Sequence, residues 1–171
     1  MKKSEIQISE FFERYINLVP QDDLIQAFEA SLTQIQSLNI SDLEKLKNKP
    51  YAEGKWTVNT VLQHIADFER VFTYRALIFA RDIKTSEGMD ENYFADHSHA
   101  DEKDVKDIVN DLLMARNASI SLFKNFSVEE LNKVGKNWKY NISVAALGFN
   151  IIGHQIHHFN VLEECYFSLI N

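Results

Sequence analysis

The segment YNISVAALGFNIIGHQIHHFNVL, residues 140–162, contains no Asp, Glu, Lys or Arg, although these four types make up 25% of the chain. On an α-helix, residues spaced by three and four positions share one face. One such face comprises Val144, Leu147, Ile151, His154, His158, Val161 and Cys165. The segment therefore predicts a helix packed in a protein core, with two histidines one turn apart on its buried side.

Two buried imidazoles indicate a bound partner, because polar groups are buried at a loss of free energy unless something satisfies them. At 100° per residue, His154 and His158 lie about 40° apart and can bind one ion. His64 lies on the inward face of an earlier helix that also carries Phe68 and Arg75. Catalytic metal sites typically use three protein ligands and leave a position open. We therefore predict a metal site formed by His64, His154 and His158.

Three imidazoles suit several divalent ions, and we expect one ion per site, with zinc or nickel ahead of copper or iron. An alternative without metal remains: the same histidines would be core residues that hydrogen-bond one another. His157 points about 60° away from the buried face, so we expect it at the rim or at an interface. His97 and His99 lie in an acidic segment, for which we expect a solvated loop, with a lid as the alternative.

Arg75 shares the face of His64, roughly 16 Å further along the helix. We predict an ion pair with Glu163 or Glu164, and the alternative is an anchor for an anionic substrate. Trp56 and Trp138 each precede a helix that carries these histidines, so we expect them to cover the same end of the bundle or to act as packing residues.

The rest of the chain predicts an all-α fold, because five Gly and two Pro over 171 residues favour few, long elements. We expect an up-down four-helix bundle in a single domain spanning residues 1–171, with a long loop between helices 2 and 3. Residues 1–20 are expected to be a lead-in, and capping boxes at Ser41 and Ser127 each predict a short helical turn. The predicted main helices span about 22–38, 57–82, 101–125 and 143–167, and the predicted loops span 84–100 and 135–141.

Composition excludes several function classes. The formal net charge of −7, without a clustered basic stripe, argues against binding to nucleic acid or anionic lipid. Residues 140–162 are long enough to span a bilayer, but their histidines and asparagines would be costly at membrane depth, so we expect no membrane segment. A single cysteine, Cys165, and an N-terminus without an apolar signal core favour the cytoplasm.

These motifs resemble the DinB-like superfamily, in its DinB/YfiT-like branch. The resemblance covers about residues 12–167 and is most specific in two blocks. The first comprises Gly54-Lys-Trp-Thr-Val58, Leu62-Gln-His-Ile-Ala-Asp-Phe-Glu-Arg70 and Tyr74-Arg75, and the second comprises Ile152-Gly-His-Gln-Ile-His-His158 and Leu162-Glu-Glu164. The resemblance implies a four-helix bundle, often a homodimer, that holds a divalent metal through His64, His154 and His158. Gln155 stands where Glu is common in the family, and Cys165 where Arg is common.

The resemblance also implies a function. The superfamily includes transferases and isomerases that use a low-molecular-weight thiol, and proteins described as metal-dependent hydrolases. We therefore expect a metal-dependent thiol S-transferase or hydrolase that acts on a small-molecule substrate. No Asp or Glu lies near the histidines on either helical face, so the sequence identifies no general base. The alternative is a non-catalytic, stress-related bundle or interaction protein in which the metal only stabilises the fold.

Overall fold

The computed structural model describes residues 1–170, so Asn171, the last residue of the predicted domain, lies outside the described residues. Four long helices form the body of the structure, and shorter elements are attached to them. Within the described residues the helices are α1 (Glu10–Ile16), α2 (Leu24–Gln36), α3 (Ile40–Leu46), α4 (Val58–Ala80), α5 (Glu91–Asp96), α6 (Val105–Lys124), α7 (Val128–Asn132) and α8 (Val144–Val161). None of the helices in this part of the chain is long and apolar enough to cross a membrane.

The four main helices begin within about four residues of the predicted positions, and α2, α4 and α8 begin at locally encoded caps. The side-chain oxygens of Thr57 and Ser143 each accept a hydrogen bond from the backbone N–H three residues on, which satisfies one free donor at the start of α4 and α8. The capping box at Ser127 is also confirmed. The box predicted at Ser41 is wrong: α3 begins one residue earlier, and Asn39 caps it.

The helices surround the core in the order α2, α6, α4, α8, so α2 and α4 are separated by the other two. The start of α4 lies beside the start of α6, since Asn59 donates to the carbonyl oxygens of Ala100 and Lys103, just before α6. Further along both helices, the Thr73 and Ser119 hydroxyl oxygens are 2.8 Å apart. The two helices therefore run parallel, and the expected up-down order is not confirmed. The long connection 81–104 allows the chain to return to the end where α4 began.

A small three-stranded sheet corrects the purely helical expectation. β2 (Val134–Asn137) and β3 (Tyr140–Ser143) form an antiparallel hairpin that includes the predicted loop 135–141 and extends beyond it at both ends. β1 (Thr85–Ser86) pairs with β2 in parallel, so the connection after α4 is attached to the hairpin that precedes α8. These strands of two to four residues are too short to show the alternation by which strands are predicted.

The N-terminal lead-in is also more ordered than expected, because α1 packs against α8. The contact is so close that a Cβ atom added to Gly153 would lie 2.1 Å from the backbone oxygen of Tyr15. Only glycine permits such an approach without displacing α1. Gly153 therefore positions Tyr15 next to the histidines that follow in α8.

The buried apolar residues form two clusters, at the two ends of the bundle. A layer of buried polar side chains lies between them and includes residues from all four main helices. We call it the polar layer, and it comprises Ser31, His64, Glu69, Arg116, His154 and Gln155. The same interruption occurs along the chain, since the first cluster ends at Ile152 on α8 and the second resumes at Leu162, directly after α8.

The centre of the polar layer is an ion pair between Arg116 and Glu69. Arg116 Nε and Nη2 donate to the two carboxylate oxygens of Glu69 at 2.8 and 3.0 Å, and Nη1 donates to the Ser31 hydroxyl. The side chains are 0% and 2% exposed. Gln155 joins the same network by donating to the Ser31 carbonyl oxygen. A buried pair of this kind is tolerated because each charge has a partner in fixed geometry.

We expect removal of one member of this pair to be more damaging than removal of both. Arg116→Met leaves the Glu69 carboxylate buried without its cation, so the free energy of unfolding should fall by about 3–5 kcal/mol. The double variant Glu69→Leu/Arg116→Met buries no charge and should recover most of that loss. Urea unfolding followed by circular dichroism measures both.

Arg70→Met is the matched control, because the ion pair of Arg70 with Asp111 is solvent-exposed. Its loss should change the free energy of unfolding by about 1 kcal/mol or less. Equal losses in Arg116→Met and in the double variant would show that the buried charge is not the cause.

Candidate metal centre

The structure brings His64, His154 and His158 together where α4 and α8 cross. The helices run antiparallel here, so the first half of α4 faces the last two turns of α8. His154 Nε2 lies 3.0 Å from His64 Nε2 and 3.2 Å from His158 Nε2. One ligand nitrogen from each ring falls within 4.8 Å of the others, so the group can hold one metal ion.

The nitrogen separations fit a shared ion. With Zn–N bonds of 2.0–2.1 Å and tetrahedral angles, two ligand nitrogens lie about 3.3 Å apart. The separations of His64 and His158 from His154 are 3.0 and 3.2 Å, which requires only small ring movements. Hydrogen bonding alone satisfies the group less well, because a neutral imidazole has one donor and one acceptor nitrogen, and here one Nε2 faces two others. The donor set therefore suits a soft or borderline divalent ion.

The three rings are held in the neutral form that metals require. Burial lowers the pKa of His64 to about 4, with a smaller contribution from His157. Burial, followed by the neighbouring His64, lowers the pKa of His158 to about 2. The pKa of His154 is also well below its usual value, first because of burial and then because of His158 and His64. At neutral pH all three nitrogens keep a lone pair available, so little proton displacement opposes metal binding.

Aromatic rings pack against the group on two sides. Trp56 packs over His64 with ring centroids 4.7 Å apart, and the Tyr166 hydroxyl donates to the Trp56 carbonyl oxygen at 2.6 Å. Burial raises the pKa of Tyr166 to about 12, so the hydroxyl remains a donor. On the other side, Tyr15 meets the ring of His154 edge-on at 5.4 Å. Apolar rings of this kind lower the local dielectric constant and so strengthen the electrostatic interactions next to them.

One feature of the group is unfavourable for metal binding. His64 Nδ1 is buried and has no hydrogen-bond partner in the described part of the chain. If Nε2 binds an ion, Nδ1 carries the proton, and metal-binding histidines usually donate that proton to an oxygen. Loss of such a partner typically weakens metal affinity by about 10–100-fold. The position of His64 is therefore fixed by packing against Trp56 and Phe68 instead of by a hydrogen bond.

Two cavities meet at the histidine group from different sides. The larger cavity, about 640 Å³, is lined by His154, aromatic residues of α1 and α4, residues 87–91 and the β-hairpin. The smaller cavity, about 270 Å³, is lined by His158, His157, Trp56 and residues near the end of α8. Volumes in this range accommodate small molecules. The arrangement gives a ligand access to the ion site along two routes.

The other predicted histidines do not join the site. His157 is half-buried in the wall of the smaller cavity, with its ring centroid 4.9 Å from that of His158, as expected for a rim residue. His97 and His99 are exposed on the connection between α4 and α6. His97 stacks on Tyr93, and His99 Nδ1 lies 3.3 Å from a carboxylate oxygen of Glu102.

The prediction of an ion pair between Arg75 and a C-terminal acid is wrong. Arg75 is buried, and its guanidinium donates to the Ser86 hydroxyl and to the Glu87 carbonyl oxygen. The shared bundle end predicted for Trp56 and Trp138 is also wrong. Because α4 and α8 are antiparallel, Trp56 lies beside the smaller cavity and Trp138 lines the larger one.

Sequence reasoning missed several residues of the larger cavity. Tyr15 was assigned to a lead-in, although the aromatic residues Phe11, Phe12 and Tyr15 lie within one turn of a helix. Asn150 lies one turn before His154 in the uncharged segment, and a polar side chain among its apolar neighbours gives the same signal as the histidines. Gln155 is buried against α2.

Comparisons with known proteins identify a family and a common fold. The sequence matches the family model of the DinB superfamily over residues 24–162. Comparison with curated proteins gives no match. Among solved structures, the chain is similar to YfiT from Bacillus subtilis, described as a probable metal-dependent hydrolase with an unusual four-helix bundle topology. The TM-score is 0.69 at 18% identity, and the match covers 99% of this chain and 93% of YfiT, a likeness that shows a common fold.

Neighbouring histidines provide a matched test of the site. With free Zn²⁺ at 100 times its Kd, a protein that binds one ion only when folded gains about 2.7 kcal/mol in free energy of unfolding. We expect this gain in the wild type and in His157→Ala, but not in His158→Ala, because only His158 faces His154. Urea unfolding with and without Zn²⁺ measures the gain. An equal gain in both variants would contradict the assignment of His158.

Proposed function

The chain belongs to the DinB superfamily, and on that premise we propose that it is a divalent-metal-dependent enzyme acting on a small molecule, with hydrolysis as the first candidate reaction. The observation that carries the proposal is the position of His154. Its ring lies in the histidine group and also lines the larger cavity. A site that only stabilised the fold would need no adjoining cavity of this size.

The proposed ligands are His64, His154 and His158. A divalent ion held by three imidazoles supplies Lewis acidity, which lowers the pKa of a bound water or thiol and polarises a bound carbonyl or similar group. The chain itself supplies orientation and exclusion of water. Trp56 and Tyr15 pack against the rings from opposite sides, and Phe68 lies beside His64 with ring centroids 4.5 Å apart.

General-base catalysis by a carboxylate is not part of the proposal. Within residues 1–170 no acidic side chain joins the histidine group. Three acidic residues, Glu87, Asp90 and Glu91, line the larger cavity, and all three are exposed.

Thiol S-transfer is the second candidate, and the two cavities favour it. A transfer reaction needs room for two molecules, and here His154 lines one cavity while His158 lines the other. A low-molecular-weight thiol in one cavity and an electrophile in the other would meet at the histidine group. Hydrolysis needs only water on the second side, which either cavity admits. The predicted homodimer and cytoplasmic location stay predictions.

The proposal is tested by metal depletion and reloading. Wild-type protein is stripped with a chelator, reloaded with Zn²⁺ or Ni²⁺, and assayed on chromogenic esters and amides and on transfer of glutathione to 1-chloro-2,4-dinitrobenzene. We expect turnover in the reloaded wild type, loss after chelation, and no recovery in His154→Ala. Product formation with or without thiol distinguishes transfer from hydrolysis.

Folded state is monitored in the same samples, because the non-catalytic alternative also predicts an effect of metal. If metal raises the free energy of unfolding but neither the hydrolysis substrates nor the thiol-transfer substrates are turned over, the metal only stabilises the fold. The enzyme proposal then fails. Lys136→Gln, an exposed change on the outer face of β2, is the control and should leave turnover unchanged.

A further inference from the structure

Arg75 is a buried cation without a counter-charge. Its side chain is among the buried charged groups, and no carboxylate in the described chain forms an ion pair with it. An arginine has five N–H donors. Nε donates to the Ser86 hydroxyl at 3.0 Å and Nη2 to the Glu87 carbonyl oxygen at 2.7 Å, while Nη1 has no partner among the described residues. Desolvation lowers the pKa of Arg75, which reflects how poorly its charge is compensated.

The unsatisfied cation lies in the same cavity as the histidine group. Arg75 and His154 both line the larger cavity. The Ser86 and Glu87 contacts hold the guanidinium against the wall. The pairing of β1 with β2 in turn fixes Ser86, the residue before Glu87. The charge is therefore positioned by the fold at the wall of the larger cavity.

Asn150 is a second unsatisfied group in this cavity. Its side chain is 1% exposed, and neither Nδ2 nor Oδ1 has a hydrogen-bond partner in the described chain. A buried amide without partners is rare, since each unsatisfied group costs about 1–3 kcal/mol. Asn150 also lines the larger cavity, so a molecule there can use its donor and its acceptor.

These groups follow one another along the cavity. Asn150 is four residues before His154 on α8, which is about 6 Å along the helix axis. Arg75 is eleven residues after His64 on the antiparallel α4, which is roughly 16 Å in the same direction. The walls between them are apolar and aromatic, with Phe68 and Phe72 from α4 and Tyr15 from α1.

We infer that the larger cavity binds an elongated, largely apolar monocarboxylate, with its carboxylate at Arg75, a polar group at Asn150 and its reacting end at the histidine group. This inference deepens the proposed function and rests on it. A carboxylate accepts from the free Nη1 and neutralises the buried charge. An amide or hydroxyl near the middle of the molecule pairs with Asn150, and an aromatic or aliphatic body fills the space between the rings.

The charge of the cavity favours one negative charge over two. Glu87, Asp90 and Glu91 line the same cavity and are exposed. Their repulsion is partly screened by salt, whereas the attraction of the buried guanidinium is screened much less. A monoanion is therefore attracted by Arg75 more strongly than it is repelled by the acids. A dianion such as a phosphate ester is repelled more strongly by the acids.

The test uses N-benzoyl derivatives of glycine, β-alanine and 4-aminobutyrate, each compared with its neutral primary amide. These probes carry an aromatic ring, a central amide and a carboxylate at three spacings. Isothermal titration calorimetry on metal-loaded wild-type protein measures binding. We expect at least one acid to bind about tenfold or more tightly than its amide, the size of a charge-assisted hydrogen bond. Equal affinity of acid and amide across the series would overturn the inference.

Three variants at two positions separate the roles of the polar groups. Arg75→Met should reduce affinity for the acid to that for the amide, and Arg75→Lys, which keeps the charge, should retain part of the preference. Asn150→Leu should reduce the affinity for the acid and the affinity for the amide equally. Arg81→Met is the control, because Arg81 is exposed at the end of the same helix and pairs with Glu130. A preference for acid that survives in Arg75→Met would refute the assignment.

Measuring metal binding and the preference for acid separately distinguishes failure of this inference from failure of the proposed function. His158→Ala should lose metal binding and keep the preference for acid, because His158 lines the smaller cavity only. If the wild type binds no metal but prefers the acid, the carboxylate site stands and the metal mechanism falls. If the wild type binds metal and shows no preference, the metal site stands and the carboxylate assignment falls.

Discussion

Three imidazole rings, two of them buried and the third half-buried, lie where α4 and α8 cross. The neighbouring elements are arranged to keep them neutral and close together. Burial depresses the pKa of each ring, so no positive charge accumulates in the group. The antiparallel crossing places His64 opposite the pair on α8. Trp56 is held over His64 by the Tyr166 hydroxyl, and Tyr15 reaches the other side because Gly153 admits the backbone of α1. The site is thus a consequence of how four separate segments pack.

The polar layer holds the four main helices in one arrangement where the apolar core is interrupted. Arg116 and Glu69 satisfy each other, and Ser31 links them to Gln155 on α8. A buried network contributes less to stability than an apolar core does, but its geometry is specific, and we infer that it sets which helix faces meet. The parallel course of α4 and α6 leaves the connection 81–104 beside the cavity, where it supplies residues 87–91 as a wall. The parallel course of α4 and α6 and the wall of the larger cavity therefore both depend on the connection 81–104.

Much of the helical frame and the histidine group could be predicted, because both depend on local periodicity. His64, His154 and His158 were found as imidazoles on otherwise apolar faces, and Thr57 and Ser143 as caps. The environment of Arg75 could not be predicted, since its contacts with residues 86 and 87 exist only after β1 pairs with β2. The direction of α6 could not be predicted from the sequence either, because a connection of about 24 residues can lead to either end of a bundle. The seven residues of α1 are too few for periodicity to indicate how they pack.

The account depends most directly on three imidazoles sharing one ion. X-ray absorption fine structure at the zinc edge of the zinc-loaded protein measures the ligand atoms and their distances. The account predicts three imidazole nitrogens at about 2.0–2.1 Å, together with at least one exchangeable oxygen ligand. Two or fewer imidazoles, or a sulfur ligand at about 2.3 Å from Cys165, would contradict it.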